Sequence, residues 1–311
     1  MKPALSIVIP AYNEAENVKL LYQELVPVLK STRLPYEIVY VDDGSTDGTR
    51  QQLRELHKQD RKVKVLLHRR NFGQTAALDT GFKYAHGDLI VTMDADLQND
   101  PADIPKLLAK MEEGYDVVSG WRKYRRDPFG KKVFSRLAGM MRRILASEKI
   151  HDSGCTLKAY RKECFANLDL YGEMHRYIPA ILTWRGFRVA EIVVNHRARK
   201  FGRTKYGAGR LMRGFLDLLI VTFWMKYSSR PMQLFGGLGL FFIAAGALCS
   251  GFLLHLKFTL GEAIAGRPLL VLAALLLIVG VQFFGFGIVT DALTKIYYRS
   301  SPISRTSEVL E

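Results

Sequence analysis

Two carboxylates one residue apart, Asp94 and Asp96 in MDADLQNDP (residues 93–101), directly follow the apolar run Leu89–Val91. Mg²⁺ is typically held by one or two carboxylates, with phosphate oxygens and water completing its shell. On an extended strand, residues i and i+2 face the same side. Asp94 and Asp96 have that spacing, and Gln98 adds an oxygen two residues on. The three are candidate ligands for Mg²⁺ or Mn²⁺ on a diphosphate. An isolated Asp-X-Asp also fits any acidic loop, so its position in the fold decides.

A second acidic point is VDDGSTDGT (41–49). Gly44 permits a tight turn, and Ser45 or Asp47 can cap a following helix. Capping needs one acid at most. Asp42 and Asp43 are left to accept from another donor, such as a nucleotide base N–H. Asn13 and Glu14 close the first apolar run, LSIVIPAYNE, in the same manner.

The elements that must position these groups are legible in the first 120 residues. LSIVIP, YEIVYVDDG, VKVLLH and DLIVTMDAD read as strands; NVKLLYQELVPVLK, TRQQLRELHKQ and TAALDTGFKYA read as helices. This alternation predicts an α/β domain around a doubly wound, mostly parallel, Rossmann-like sheet. In such sheets ligands bind beyond the carboxyl ends of the strands. Three strands end in polar groups, at Asn13/Glu14, Asp42/Asp43 and Asp94/Asp96, and those ends should gather at one edge. Further on the pattern predicts a basic helix over 128–147, a strand over 155–160, a helix over 175–185 and a strand within FRVAEIVVNHR.

The chain has 311 residues, 48% of them hydrophobic, enough for one catalytic domain and a further part. Residues 232–256 and 268–290 contain no Asp, Glu, Lys or Arg. A bilayer span needs about 20 such residues in helix, so two transmembrane helices are expected. Residues 207–230 are amphipathic with large apolar residues, which fits a helix lying in the membrane interface. The expected domains are 1–206 catalytic, 207–230 interfacial, 231–294 a transmembrane hairpin and 295–311 a polar tail. Lys226, Arg230, Lys295 and Arg299 flank the outer ends of the pair, against Lys257 and Arg267 with Glu262 in the connection. By the positive-inside rule both termini and the large domain are expected to face the cytoplasm. An integral protein of the cytoplasmic (inner) membrane is expected.

The net charge is +15. Basic clusters lie at 121–143 and 196–213, and the second runs directly into the apolar segments. They suit anionic head groups or phosphorylated ligands. No nucleic-acid partner is expected, because no DNA-binding motif accompanies the charge. Three cysteines, Cys155, Cys164 and Cys249, offer neither a disulfide framework nor metal spacing. The P-loop, the G-x-G-x-x-G fingerprint and the nucleophile elbow are absent.

SIVIPAYNEAENV, VDDGSTDGT, MDADLQNDP, SGWRK and RKFGRTKYG together resemble the motifs of the GT-A family 2 glycosyltransferases. More closely they resemble the polyprenyl-phosphate sugar transferases, such as dolichol-phosphate mannose synthase and the bactoprenol glucosyltransferases, over about residues 4–230. The resemblance implies a GT-A catalytic domain with nucleotide-sugar contacts at Pro10, Tyr12, Glu14, Asp42, Asp43, Asp94, Arg199 and Lys205. It implies metal ligands Asp94, Asp96 and Gln98, and an acceptor-phosphate site at Arg122, Lys132, Ser135 and Arg136. Asp152 matches a family Asp with two possible roles, base or positioner; positioning is preferred. Thr204 stands where Ser is common and keeps the hydroxyl.

The implied reaction is inverting, metal-dependent transfer of one sugar from a nucleotide diphosphosugar to a polyprenyl phosphate (undecaprenyl or dolichyl phosphate). UDP-glucose is the favoured donor and GDP-mannose the next. Asp94, Asp96, Arg122 and Asp152 form the implied catalytic set, and a homo-oligomer, a tetramer in the family, is implied as well. The missing Q/R-x-x-R-W motif argues against a polymerase. The alternatives are another lipid acceptor or a non-enzymatic membrane scaffold on the same fold.

Overall fold

The computed structural model describes residues 2–123, 150–198, 219–220, 222–223, 226–227 and 230–300. The basic helix expected over 128–147 lies outside them, as does most of the expected interfacial helix. Contacts divide the chain into two compact units, residues 1–221 and 222–311.

Among the described residues, the first unit has seven strands: β1 Leu5–Ala11, β2 Tyr36–Asp42, β3 Val63–Leu67, β4 Leu89–Thr92, β5 Val117–Trp121, β6 Lys158–Arg161 and β7 Val189–Val193. Their order in the sheet is β3-β2-β1-β4-β6-β5-β7. The first four in chain order are parallel. β6 runs antiparallel between β4 and β5, and β5 and β7 pair in parallel. The sheet is thus mostly parallel, as expected. β2 is buried along its whole length and β1 almost so. That is why both read as continuous apolar runs rather than alternating ones.

Helices α1 (Ala15–Ser31), α2 (Thr49–Gln59), α3 (Gln74–Tyr84), α4 (Ile104–Glu112) and α5 (Ile178–Trp184) belong to the same unit. α1 buries Val18, Leu21, Leu25 and Leu29 at helical spacing. Successive residues of β1 feed different cores. Ile7 and Ile9 join the core that contains α1, α2 and α4, whereas Val8 joins the one that contains α3 and α5. α3 crosses β1 closely: a Cβ on Gly81 would lie 2.4 Å from Val8 Cγ1.

One expected boundary is corrected. β4 stops at Thr92, so Asp94 and Asp96 lie on a loop beyond the strand. The loop includes Leu97 in the left-handed region, φ 61°. Strand alternation therefore does not orient the acids; loop hydrogen bonds do.

The second unit contains α6 (Pro231–Leu260) and α7 (Pro268–Ser300), the first ending on left-handed Gly261. Both are long and apolar enough to cross a membrane. Leu248, Phe258 and Val271 are 76%, 77% and 71% exposed, unlike the packed side of a soluble core helix. Glycines close the hairpin: a Cβ on Gly239 would meet the Gly280 carbonyl at 2.8 Å. The second helix outruns the expected span and continues through 295–300, assigned above to the tail. Lys295 Nζ meets Asp291, one turn earlier, at 2.6 Å.

Candidate active site

β2, β1 and β4 are neighbours with parallel direction, so their carboxyl ends open onto one edge. The loops after β1 and β2 are laced together. Asn13, with φ 56°, donates its N–H to Ser45 Oγ at 2.9 Å and accepts from Thr46 N–H at 2.8 Å. Glu14 N–H donates to Thr49 Oγ1 at 2.8 Å. Neither expected helix cap holds the cap position: it is Gly48, with Asp47 just before it taking Thr49 N–H at 2.9 Å and Ser45 serving Asn13.

Asp42 and Asp43 are both buried. Asp42 accepts from Arg50 Nε at 2.7 Å and lies 3.3 Å from Ser45 N. Asp43 accepts from Phe72 N–H at 2.9 Å and Gly73 N–H at 2.8 Å, and His68 Nδ1 lies 2.9 Å from it. This ties the β3–α3 loop to the end of β2. Gly44 is required here: its φ is 75°, and a Cβ would strike Arg70 backbone carbon at 2.3 Å.

The loop after β4 is held from three sides. Asp94 accepts from Gln74 Nε2 and from Thr156 Oγ1, each at 2.8 Å, and donates its N–H to Asn99 Oδ1 at 3.0 Å. Asp96 accepts from Gln98 N–H at 3.1 Å. Burial, then the neighbouring Asp96 carboxylate, raise Asp94 well above the usual carboxylate range. Arg122 opposes that rise and Glu14 adds to it, so both act on the same point.

Arg122, one residue past β5, meets Asp152 in a two-pronged pair: Nε to Oδ2 at 2.7 Å and Nη2 to Oδ1 at 2.9 Å. Their side chains are only 12% and 18% exposed. Burial pushes Asp152 up, but the guanidinium outweighs it and holds the carboxyl below its ordinary value. Glu191 of β7 fixes the same turn, accepting from Asp152 N–H at 3.0 Å.

Residues 6–169, over half of the chain, match the sequence pattern of glycosyl transferase family 2. This chain is a family 2 glycosyltransferase. It is 41% identical to the dodecaprenyl-phosphate galacturonate synthase of Rhizobium johnstonii, covering 95% of this chain and 89% of that protein. It is 35% identical to the undecaprenyl-phosphate 4-deoxy-4-formamido-L-arabinose transferase of Yersinia enterocolitica, covering 94% and 89%. Among solved structures, glucosyl-3-phosphoglycerate synthase of Mycobacterium tuberculosis, in complex with Mn²⁺ and UDP-glucose, superposes with a TM-score of 0.55. The identity is 21%, over 71% of this chain and 79% of that one. The likeness establishes the GT-A fold.

Of the site residues expected for this glycosyltransferase, those described are Pro10 at the end of β1, Tyr12 and Glu14 just beyond it, Asp42 and Asp43, Asp94, Asp96 and Gln98, Arg122 and Asp152. Glu14 Oε2 accepts from Asn17 Nδ2 at 2.6 Å. Lys132, Ser135, Arg136, Arg199 and Lys205 lie outside the described residues. Among those described, no cluster of three or more His, Cys, Asp or Glu forms a metal cage. The donor set still fits Mg²⁺ or Mn²⁺. It supplies two carboxylates of like charge, one made costly to ionise by the other, which a divalent cation relieves while a diphosphate completes the shell. Gln74, Asn99 and Thr156 are positioning groups absent from the sequence reading. Gln74 and Thr156 are 20 and 62 residues from Asp94, and no local pattern marks them.

Proposed function

We propose that this glycosyltransferase moves a single sugar, with inversion, from a nucleotide diphosphosugar to a polyprenyl phosphate at the cytoplasmic face of a membrane. The observation that carries the reading is the acidic loop: two carboxylates whose repulsion the protein leaves in place, facing Arg122's field, at the carboxyl edge of the sheet. Pro10, Tyr12, Glu14, Asp42 and Asp43 line the nucleotide side. Arg199 and Lys205 contact the diphosphate. Asp94, Asp96 and Gln98 would hold a divalent ion, which would supply charge stabilisation for the leaving nucleoside diphosphate.

The acceptor is a phosphate monoester, with a second pKa of about 6 by analogy with phosphoserine. It is an anionic nucleophile at neutral pH and needs no strong base. Asp152 suits that economy. A carboxylate held low by a guanidinium is a poor proton acceptor and a good clamp, so it orients Arg122 toward the phosphates. Lys132, Ser135 and Arg136 hold the acceptor phosphate, and α6 and α7 keep the isoprenoid tail in the bilayer.

The named relatives support galacturonate, from the 41% identical one, or 4-deoxy-4-formamido-L-arabinose, from the 35% identical one, ahead of the glucose expected from sequence. Both are whole-length relatives above 30% identity, whereas the UDP-glucose complex is a 21% match. A screen of radiolabelled nucleotide sugars, galacturonate, formamido-arabinose and glucose included, with polyprenyl phosphate, diacylglycerol and ceramide as acceptors, tests donor and acceptor together. Label entering polyprenyl phosphate in a chelator-sensitive way is expected. Label entering only diacylglycerol or ceramide overturns the acceptor. Deleting residues 231–311 should spare donor binding and cut transfer to long-chain acceptor; equal rates in both forms would end the proposed role of the hairpin.

A further inference from the structure

Arg197 lies four residues past β7, and its contacts converge on the loop that carries the acids. Its Nη2 donates to Asp100 Oδ1 at 2.7 Å, and its Nη1 donates to Glu24 Oε2 on α1 at 2.5 Å. Its N–H donates to the Gln98 carbonyl at 2.9 Å, and Gln98 Nε2 lies 3.5 Å from the Arg197 carbonyl. The neighbours of Arg197 repeat the pattern. His196 bridges Asn99 in antiparallel fashion, and Asn195 N–H donates to Asp103 Oδ2 at 2.7 Å. Gln98, Asn99, Asp100 and Asp103 therefore each have a partner within residues 195–197.

The loop so gripped is the one whose geometry matters. Asn99 is buried, and its Oδ1 takes the Asp94 N–H. Leu97 sits in the left-handed region, which a residue with a Cβ occupies only under outside restraint. A continuous path of contacts runs from Glu24 through Arg197 to Asp100 and Gln98, and from Asn99 to Asp94. The ion pairs themselves add little to global stability, because Arg197 and Glu24 side chains are 36% and 33% exposed. Their effect is on loop geometry. A guanidinium can serve Glu24 and Asp100 at once through separate nitrogens; a lysine presents one point charge.

We infer that Arg197 is a positioning residue for the divalent-cation site, clamping the 96–100 loop to α1 so that Asp96 and Gln98 present their oxygens beside Asp94. This rests on the reading of Asp94 and Asp96 as cation ligands.

The test uses the purified full-length protein in detergent, with Mn²⁺ alone as probe, followed by electron paramagnetic resonance. Arg197→Gln should weaken Mn²⁺ binding about five- to tenfold, Glu24→Gln about two- to threefold, and Arg197→Lys should fall between wild type and Arg197→Gln. Hydrogen exchange should quicken in the peptide spanning 96–100 and stay unchanged across β1 and β2. Wild-type affinity and wild-type exchange in Arg197→Gln overturn the clamp. So does uniform acceleration of exchange over the whole first unit in both Arg197→Gln and Glu24→Gln, which marks a general structural role. Wild-type protein that binds no Mn²⁺ overturns the cation reading instead, and the exchange readout then judges the clamp alone.

Discussion

The two edges of the parallel sheet both bury carboxylates, and they treat them in opposite ways. At the amino edge Glu37, 4% exposed at the start of β2, accepts from Ser6 Oγ at 2.6 Å and His86 N–H at 2.7 Å. Ser6 Oγ in turn takes Gly87 N–H at 2.8 Å. This acid joins β1, β2 and the turn before β4, and the His86 ring also approaches it, Nδ1 to Oε2 at 3.5 Å. At the carboxyl edge Asp94 also has donors, Gln74 and Thr156, but burial raises it and a second carboxylate two residues away raises it further. Burial alone does not mark a functional acid. An electrostatic conflict that the protein retains does, because structure gains nothing from like charges held together.

The strongest way to break this comparison is Asp94→Asn combined with Asp96→Asn. Transfer should drop by about 1000-fold or more, as expected when charge stabilisation of the leaving group is removed. The thermal midpoint should hold or rise, because repulsion is relieved. Normal transfer in this variant would return the stretch to being an acidic loop.

Asp152→Asn comes next. Arg122 would keep its place but lose its counter-charge. We expect about a 10- to 100-fold fall in kcat, and a pH–rate profile that keeps its shape because no base was removed. A lost ionisation limb in that profile would make Asp152 the base instead.

Glu37→Gln reads the other edge. It should cost about 1–3 kcal/mol of stability in denaturant melts through an imperfectly satisfied buried group. Activity per folded molecule should stay within about twofold.

The smallest effect is a pH slope. Asp94 is raised, so the folded metal-free protein holds that proton more tightly than the unfolded chain. Its stability therefore falls as pH climbs from about 4 to about 7. Asp152 is lowered and acts oppositely, adding stability above its unfolded value of about 3.9 that is lost as pH drops through its folded value. Thermal scans should show the first slope vanish on adding Mn²⁺ and in the Asp94→Asn, Asp96→Asn variant, while the acid-side loss remains.

Much of this was legible from residue order. Apolar runs bounded by acids and glycine placed β1, β2 and β4, because strands buried on both faces must be apolar throughout. The end of β4 was not legible: VTMDAD continues the pattern, yet pairing ceases at Thr92 and Leu97 turns left-handed. The antiparallel insertion of β6 between β4 and β5 was also hidden, since a four-residue strand carries no sign of its partners.

The sequence by itself determined the chemistry on offer: acidic groups at three strand ends, basic residues downstream, and two uncharged stretches long enough for a bilayer. Those follow from local composition and spacing, which chain order preserves. Only the tertiary structure decided how each acid is used. Asp43 meets His68 and the α3 loop, Asp152 meets Arg122 thirty residues away, and the Asp94 loop answers to Gln74, Thr156 and, through Asn99 and Asp100, Arg197. Whether a carboxylate is a strut, a clamp or a cation ligand depends on the charges and donors within a few ångströms of it. Folding brings those neighbours from across the chain.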